Sequence, residues 1–226
     1  MTERPGKLIV FEGAEGVGKT TQIRHLVRTL AARGIAYLDV REPGGTAMGN
    51  EIRRLVLDPG PEISARTEAL LFMASRAELV DRLVRPALER GEVVIADRFF
   101  LSTYAYQIAG RGLPEAEVTS ANRFASGGLV PDLTILLRLS VDAALARADS
   151  RGSRDRIEAA ADDFHHRVAA AFDLFADPAW QTRHPEAGPV VAVDAAGTEQ
   201  VVATAVLSLL ERTWPETFRS AVGSHR

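Results

Sequence analysis

The chain contains no cysteine. That excludes a disulfide framework, a thiolate nucleophile and any cysteine-ligated zinc, and makes a reducing compartment, the cytoplasm, the simplest home. Lysine is almost missing as well: of 27 basic residues only Lys7 and Lys19 are lysines. The skew reads as codon usage, but it draws attention to where Lys19 sits. Long apolar runs are lacking too. The first, Leu8 to Phe11, is four residues long, so neither a signal peptide nor a membrane span is expected. Nor is there an excess of positive charge. A net charge of −3 argues against a nucleic-acid partner held by bulk potential, so an anionic ligand must be met by a local cluster of cations. What remains is ordinary for a globular chain with a core: 226 residues, 46% hydrophobic and 25% charged.

Short β-branched runs alternate with longer helical patterns. Leu8–Phe11, Ala36–Val40, Val93–Ala96, Leu133–Leu139 and Val190–Val193 are predicted strands, nearly continuous in apolar character. Continuous hydrophobicity implies burial on both faces, as in a parallel sheet covered by helices. Helical spacing runs over Thr20–Arg33, Gly49–Leu57, Arg66–Arg90, Glu115–Ala125, Val141–Ala148, Arg156–Phe175 and Glu199–Arg212. The expected architecture is a doubly wound α/β domain over residues 1–213, with a five-stranded parallel sheet and helices on both faces. Residues 214–226, with Pro215, Gly223 and little periodicity, are expected to form a frayed tail.

Gly13-Ala14-Glu15-Gly16-Val17-Gly18-Lys19-Thr20 fits G-x-x-x-x-G-K-[ST] between a predicted strand and a predicted helix. Glycines let the backbone wrap a phosphate closely, with N–H groups and the helix N-terminus aimed at its oxygens. Lys19 can reach the β- and γ-phosphates, and the Thr20 hydroxyl can ligate Mg²⁺. A nucleoside triphosphate is thus the expected ligand. Asp97, at the end of the third strand, is a candidate Mg²⁺ partner, and Arg98 a candidate phosphate clamp, since strand C-termini face the ligand crevice in open parallel sheets. Other classes with this loop fit poorly. Neither Asn50 nor Asn122 is followed by lysine, so the N-K-x-D guanine reader is missing, as is an LSGGQ-like signature. A small nucleotide kinase fits best.

Beyond the loop, several separate motifs stand in one order. They are Phe11-Glu12-Gly13 through Lys19-Thr20-Thr21-Gln22, Arg41-Glu42-Pro43-Gly44-Gly45-Thr46 and Leu71-Phe72-Met73-Ala74-Ser75-Arg76. Asp97-Arg98-Phe99, Ser102-Thr103-Tyr104-Ala105-Tyr106-Gln107 and Arg151-Gly152 with Asp155-Arg156-Ile157-Glu158 complete the set. Together, from about Lys7 to about Arg212, they resemble the bacterial thymidylate kinases. The resemblance implies the fold of P-loop nucleoside monophosphate kinases with a short lid, about residues 147–158. It also implies transfer of phosphate from ATP to dTMP with Mg²⁺, usually in a homodimer.

Residue roles follow from the same resemblance. Gly13, Ala14, Glu15, Gly16, Val17, Gly18, Lys19, Thr20 and Thr21 would hold the ATP phosphates. Phe72 would stack on thymine, although it could equally pack with Leu70, Leu71 and Met73. Arg76, one turn on, would donate to thymine O4, where cytosine presents an amino donor. Arg53 and Arg98 would hold the dTMP phosphate, with Glu42 and Pro43 shaping the pocket edge. Thr103 and Gln107 match polar positions near the base, Tyr106 the ring that crowds C2′, and Glu15 the carboxylate that meets the 3′-hydroxyl. Arg151 and Arg156 match lid arginines, which fits a phosphate loop that carries none of its own; Arg154 has no assignment.

Phe99 departs from the family, which often has tyrosine or histidine there. His165-His166 does not make a metal site, because adjacent helical residues point about 100° apart. Two other functions stay open at this stage: a deoxynucleoside kinase, whose acceptor is an uncharged hydroxyl, and a nucleotide-binding regulator without turnover.

Overall fold

The computed structural model describes residues 5–60, 62–140, 143–144, 147, 156–157 and 160–219. Its centre is a sheet of β1 (Lys7–Glu12), β2 (Tyr37–Arg41), β3 (Val93–Asp97), β4 (Leu133–Arg138) and β5 (Val190–Asp194), in the order β2-β3-β1-β4-β5. Every pairing is parallel. Successive strand residues go to opposite faces, and both faces are covered. Ile9, Phe11, Val93, Ile95, Ile135 and Leu137 join one core with α1 (Lys19–Ala32) and α9 (Glu199–Thr213). Leu8, Val10, Val94, Ala96 and Leu136 join the other. That core includes α3 (Ala65–Leu79), α4 (Arg85–Glu89), and α7 (Asp162–Phe175) with α8 (Pro178–Arg183). The continuous apolar runs of the central strands β1, β3 and β4 thus have their physical cause in burial on both faces. The edge strands β2 and β5 instead leave Asp39, Arg41, Ala192 and Asp194 exposed.

Strand register brings the chemistry level. Phe11 and Arg41 both pair with Asp97, so the turns after β1, β2 and β3 open at one edge. Two further helices flank that edge: α2 (Ala47–Leu57), capped by Thr46, whose side chain accepts from the Gly49 N–H, and α6 (Glu115–Ala125).

Several expectations need correction. The helix expected over Arg66–Arg90 is broken by a π-helical turn, Val80–Val84. Pro86 sits in the first turn of α4, and its missing N–H and bulky ring cannot continue an α-helical ladder. The helix expected from Arg156 starts only at Asp162, where two acidic residues meet the positive end of the helix. Arg156 instead turns to give its backbone N–H to Leu57 O at 3.2 Å. Residues Phe100–Gly110 form α5 (Phe100–Thr103) and a second π-helical stretch, Tyr104–Gly110, for which the sequence carried no clean period. The tail does not fray at once. Pro215–Phe218 forms α10, and Phe218 is fully buried in the core with α1 and α9. Of the helix expected over Val141–Ala148, only residues 143, 144 and 147 are described, all helical; Arg151, Arg154 and most of the expected lid lie outside the described residues, as do 220–226.

Candidate active site

The loop after β1 wraps tightly because glycine permits it. Gly13 has φ 138°, and a Cβ there would lie 2.6 Å from Leu137 O. At Gly16, φ 77°, a Cβ would run into the Ala144 backbone. Lys19, at the start of α1, is buried and donates to Gly13 O (2.9 Å) and Ala14 O (2.8 Å). Burial first, and then the Arg98 charge, lower its pKa to about 8 against the pull of Glu15, Asp97 and Glu12. The Thr20 hydroxyl donates to Asp97 Oδ2 at 3.1 Å across the mouth of the loop. A hydroxyl and a carboxylate are hard oxygen donors, so this pair fits Mg²⁺, which keeps several waters and phosphate oxygens of its own. No group of three or more His, Cys, Asp or Glu residues able to hold a metal exists among the described residues, and His166 is exposed.

Arg98 follows β3 in the left-handed region, φ 73°, a conformation that costs a non-glycine residue about 1–3 kcal/mol. Its surroundings hold it there. Its backbone N–H reaches Phe11 O at 3.0 Å. Behind it, fully buried Glu12 accepts from the backbone N–H groups of Phe99 (2.9 Å) and Ser102 (3.0 Å) and from the Ser102 hydroxyl (2.8 Å). Burial raises the Glu12 pKa, and these donors and Arg98 offset only part of that. The Arg98 guanidinium donates to Glu15, to Tyr106 Oη (2.9 Å), to Ser102 Oγ (3.1 Å) and to Gly13 O (3.3 Å). Burial opposes its charge, but Tyr106, Glu15, Glu12 and Asp97 prevail and raise its pKa. The Tyr106 hydroxyl donates in turn to Glu15 at 3.0 Å, and burial pushes its own pKa well up. Glu15, Arg98 and Tyr106 therefore form one connected group between the phosphate loop and the rest of the cleft.

The far end is built differently. Arg76 on α3 is 2% exposed, and all five of its N–H groups are engaged. Nε and Nη2 donate to Glu42, Nη1 to Thr103 Oγ1 (2.8 Å) and Asn122 Oδ1, and the second Nη2 hydrogen to Phe99 O (2.9 Å). The Phe99 ring lies against the guanidinium, 5.2 Å from centroid to Cζ. Phe72, one turn earlier, is half-buried: it packs on the core and also lines the cleft. Pro43 follows Glu42, and its carbonyl accepts from Arg53 Nη1 at 3.0 Å.

One cleft of about 830 Å³ joins the two ends. Its walls include Glu15, Gly16, Val17, Gly18, Lys19, Thr20, Thr21, Asp97 and Arg98 at the phosphate end. Glu42, Pro43, Arg53, Phe72, Arg76, Thr103, Tyr106 and Gln107 line the other. Gly13 and Ala14 lie beneath, supplying the carbonyls that hold Lys19. Arg156 is the exception among the expected residues. It donates to Glu68 Oε2 (2.6 Å) and Val56 O (2.9 Å) and does not line the cleft, because a buried carboxylate and a helix-end carbonyl hold it away.

The family model described as thymidylate kinase covers residues 11–191. The chain belongs to the thymidylate kinase family. It is 51% identical over 179 residues to a thymidylate kinase of Leifsonia xyli subsp. xyli, covering 78% of this chain and 85% of that one. It is 44% identical over 213 residues to the Bdellovibrio bacteriovorus thymidylate kinase, covering 91% and 96%.

Within this cleft, the structure adds residues to which the sequence assigned no individual role. Glu12 is a buried carboxylate ending an apolar strand, the same signal that drew attention to Asp97. Ser75 accepts from the Gly44 N–H at 3.0 Å and so fixes the turn after β2. Asn122 on α6 meets Arg76 from a helix 46 residues away in sequence, and no local pattern points to it. Arg147 lines the cleft beside Ala195, Gly197, Thr198 and Glu199, the turn between β5 and α9.

Proposed function

We propose that the chain transfers the γ-phosphoryl group of ATP to the phosphate of dTMP, giving dTDP and ADP. What supports this most directly is the single cleft, in which the Lys19 loop and the Phe72–Arg76 face lie at opposite ends with Arg98 between them. Two nucleotides can meet end to end there with their phosphates beside Arg98.

An oxygen of the dTMP phosphate attacks the γ-phosphorus, and the bond from that phosphorus to the β,γ-bridging oxygen breaks. The acceptor is largely dianionic at pH 7, its second pKa being about 6, so no general base is required. The barrier lies in bringing one anion against another, and fixed cations meet it. Lys19 exchanges its two loop carbonyls for phosphate oxygens. Arg98 turns its guanidinium from Glu15 towards the acceptor phosphate, which releases the Glu15 carboxylate for the sugar 3′-hydroxyl. Arg53 takes the other side of that phosphate, Tyr106 crowds C2′, and Arg151 supplies the lid cation. Thr20 and Asp97 would hold Mg²⁺, which when bound neutralises charge on the β- and γ-phosphates.

At the base, Phe72 covers one thymine face. O4 is read by Thr103, whose oxygen accepts from Arg76 and whose proton is left to donate; Arg76, with all five N–H groups engaged, orients that hydroxyl and does not itself reach O4. A cytosine amino group there meets the Thr103 proton as donor against donor, which costs about 1–3 kcal/mol.

Two copies of the chain form a homodimer through α2, α3 and α6, which pack side by side and carry exposed Met48, Leu55, Leu70 and Phe124. Phe124 is 89% exposed, so an apolar partner surface against it would remove a large ring from water. No helix among the described residues is long and apolar enough to cross a membrane. A home in the cytoplasm follows from where ATP and deoxynucleotides are made.

A coupled ADP-release assay across dTMP, dCMP, dGMP and thymidine tests the reaction. dTMP should be turned over at least tenfold better than the others. Preference for thymidine would make the chain a nucleoside kinase, and binding without ADP release would make it a regulator.

A further inference from the structure

Glu68 on α3 has no part in the reaction as described, yet it is 1% exposed and lies one turn before Phe72 and two before Arg76. Oε1 accepts from Gln107 Nε2 and from Arg111 Nε, both at 3.1 Å. Oε2 accepts from Arg111 Nη2 at 2.9 Å and from Arg156 Nη2 at 2.6 Å. Two guanidiniums share one carboxylate, so the cluster carries an excess positive charge and Glu68 stays ionised. Although burial opposes it, hydrogen bonds from Arg111, Arg156 and Gln107 hold its pKa below the ordinary value.

An ionised carboxylate only accepts. Gln107 must therefore turn its amino group to Glu68, and its carbonyl oxygen away. That oxygen has no protein partner among the described residues and is not sealed inside the protein, while Gln107 lines the cleft. Thymine, linked to its sugar through N1, has a single hydrogen-bond donor, N3–H. Cytosine has a bare acceptor at N3, which would face the glutamine oxygen as like against like.

We propose that Glu68 is a specificity-determining positioning residue: it locks the Gln107 amide with its oxygen towards the base, so that the cleft favours a pyrimidine bearing N3–H. The inference rests on the assignment of this end of the cleft to the base of dTMP. It differs from the O4 reading by Thr103, because it acts at another atom of the ring and through a residue that never touches substrate.

The test is the ratio of kcat/KM for dTMP to that for dCMP. In Glu68→Gln, residue 68 can donate as well as accept, Gln107 can flip, and the ratio should fall about tenfold. Gln107→Leu, which removes the acceptor and leaves Glu68 with both arginines, should lower it by a similar factor. The exchange E68Q/Q107E puts an acceptor-only group back beside the base and keeps the charge of the cluster, so its ratio should return to within about threefold of the wild type. A merely structural role would lower both activities together and leave the ratio alone. An unchanged ratio in Gln107→Leu, or in Glu68→Gln, or no recovery in the exchange, overturns the proposal; if Glu68→Gln does not fold, the other two variants decide. Wild-type enzyme inactive on dTMP would instead overturn the function itself.

Discussion

The two ends of the cleft hold their positive charge in opposite ways. At the phosphate end, Lys19 rests on two loop carbonyls and Arg98 on Glu15, partners that an arriving phosphate can replace. At the base end, Arg76 is saturated by Glu42, Thr103, Asn122 and Phe99 O and almost sealed from water. Charge that must meet a transient anion is kept exchangeable, and its desolvation shows in the lowered pKa of Lys19. Charge that must hold a shape is neutralised for good.

The largest effect that would break this contrast is at the base end. Glu42→Ala leaves a buried guanidinium without its anion and should cost about 3–5 kcal/mol of stability, read from denaturant unfolding. A loss under 1 kcal/mol would mean that the pair is not structural. At the phosphate end the outcome should invert. Lys19→Met should lower kcat by about 10²–10³, with unfolding unchanged or shifted to higher denaturant, since a costly buried charge is removed. Arg98→Ala should lose a similar factor in kcat, and an unchanged kcat would remove it from the phosphate clamp.

A smaller effect sharpens the comparison by pH. The Lys19 pKa of about 8 lies below its ordinary 10.5, so the cationic form needed for phosphate is present below about pH 8 and lost above it. The kcat/KM for ATP should therefore fall up to tenfold per unit above that pH. Between about 8 and 10.5 the unfolded chain binds the proton that the folded chain has released, so the contribution of this group to stability rises as activity falls. A flat activity profile to pH 10 would contradict this account of Lys19. The smallest expected effect is away from the cleft: Phe124→Asp should shift sedimentation towards the monomer and leave monomer unfolding within about 0.5 kcal/mol.

Most of the phosphate end was legible in the chain, because its function is local. Gly13 to Thr20 is a contiguous run whose backbone makes the cradle, and the apolar runs that become β1 and β3 announce where Asp97 and Arg98 must lie. The motif that points to dTMP was equally visible at Phe72 and Arg76, four residues apart on one helix. What no local pattern could carry is how each side chain is held. Glu42, Asn122 and the Phe99–Thr103 stretch come to Arg76 from three separate segments, and only packing of α3 against α6 and the turn after β3 brings them there. Arg156 shows the same limit. Its sequence context marks a cation near the lid, but the buried carboxylate of Glu68, 88 residues earlier, decides where its charge goes. Residue type and spacing determined which groups the protein owns, whereas burial and partner geometry, which exist only once distant segments meet, decided which of those groups remain available to a substrate.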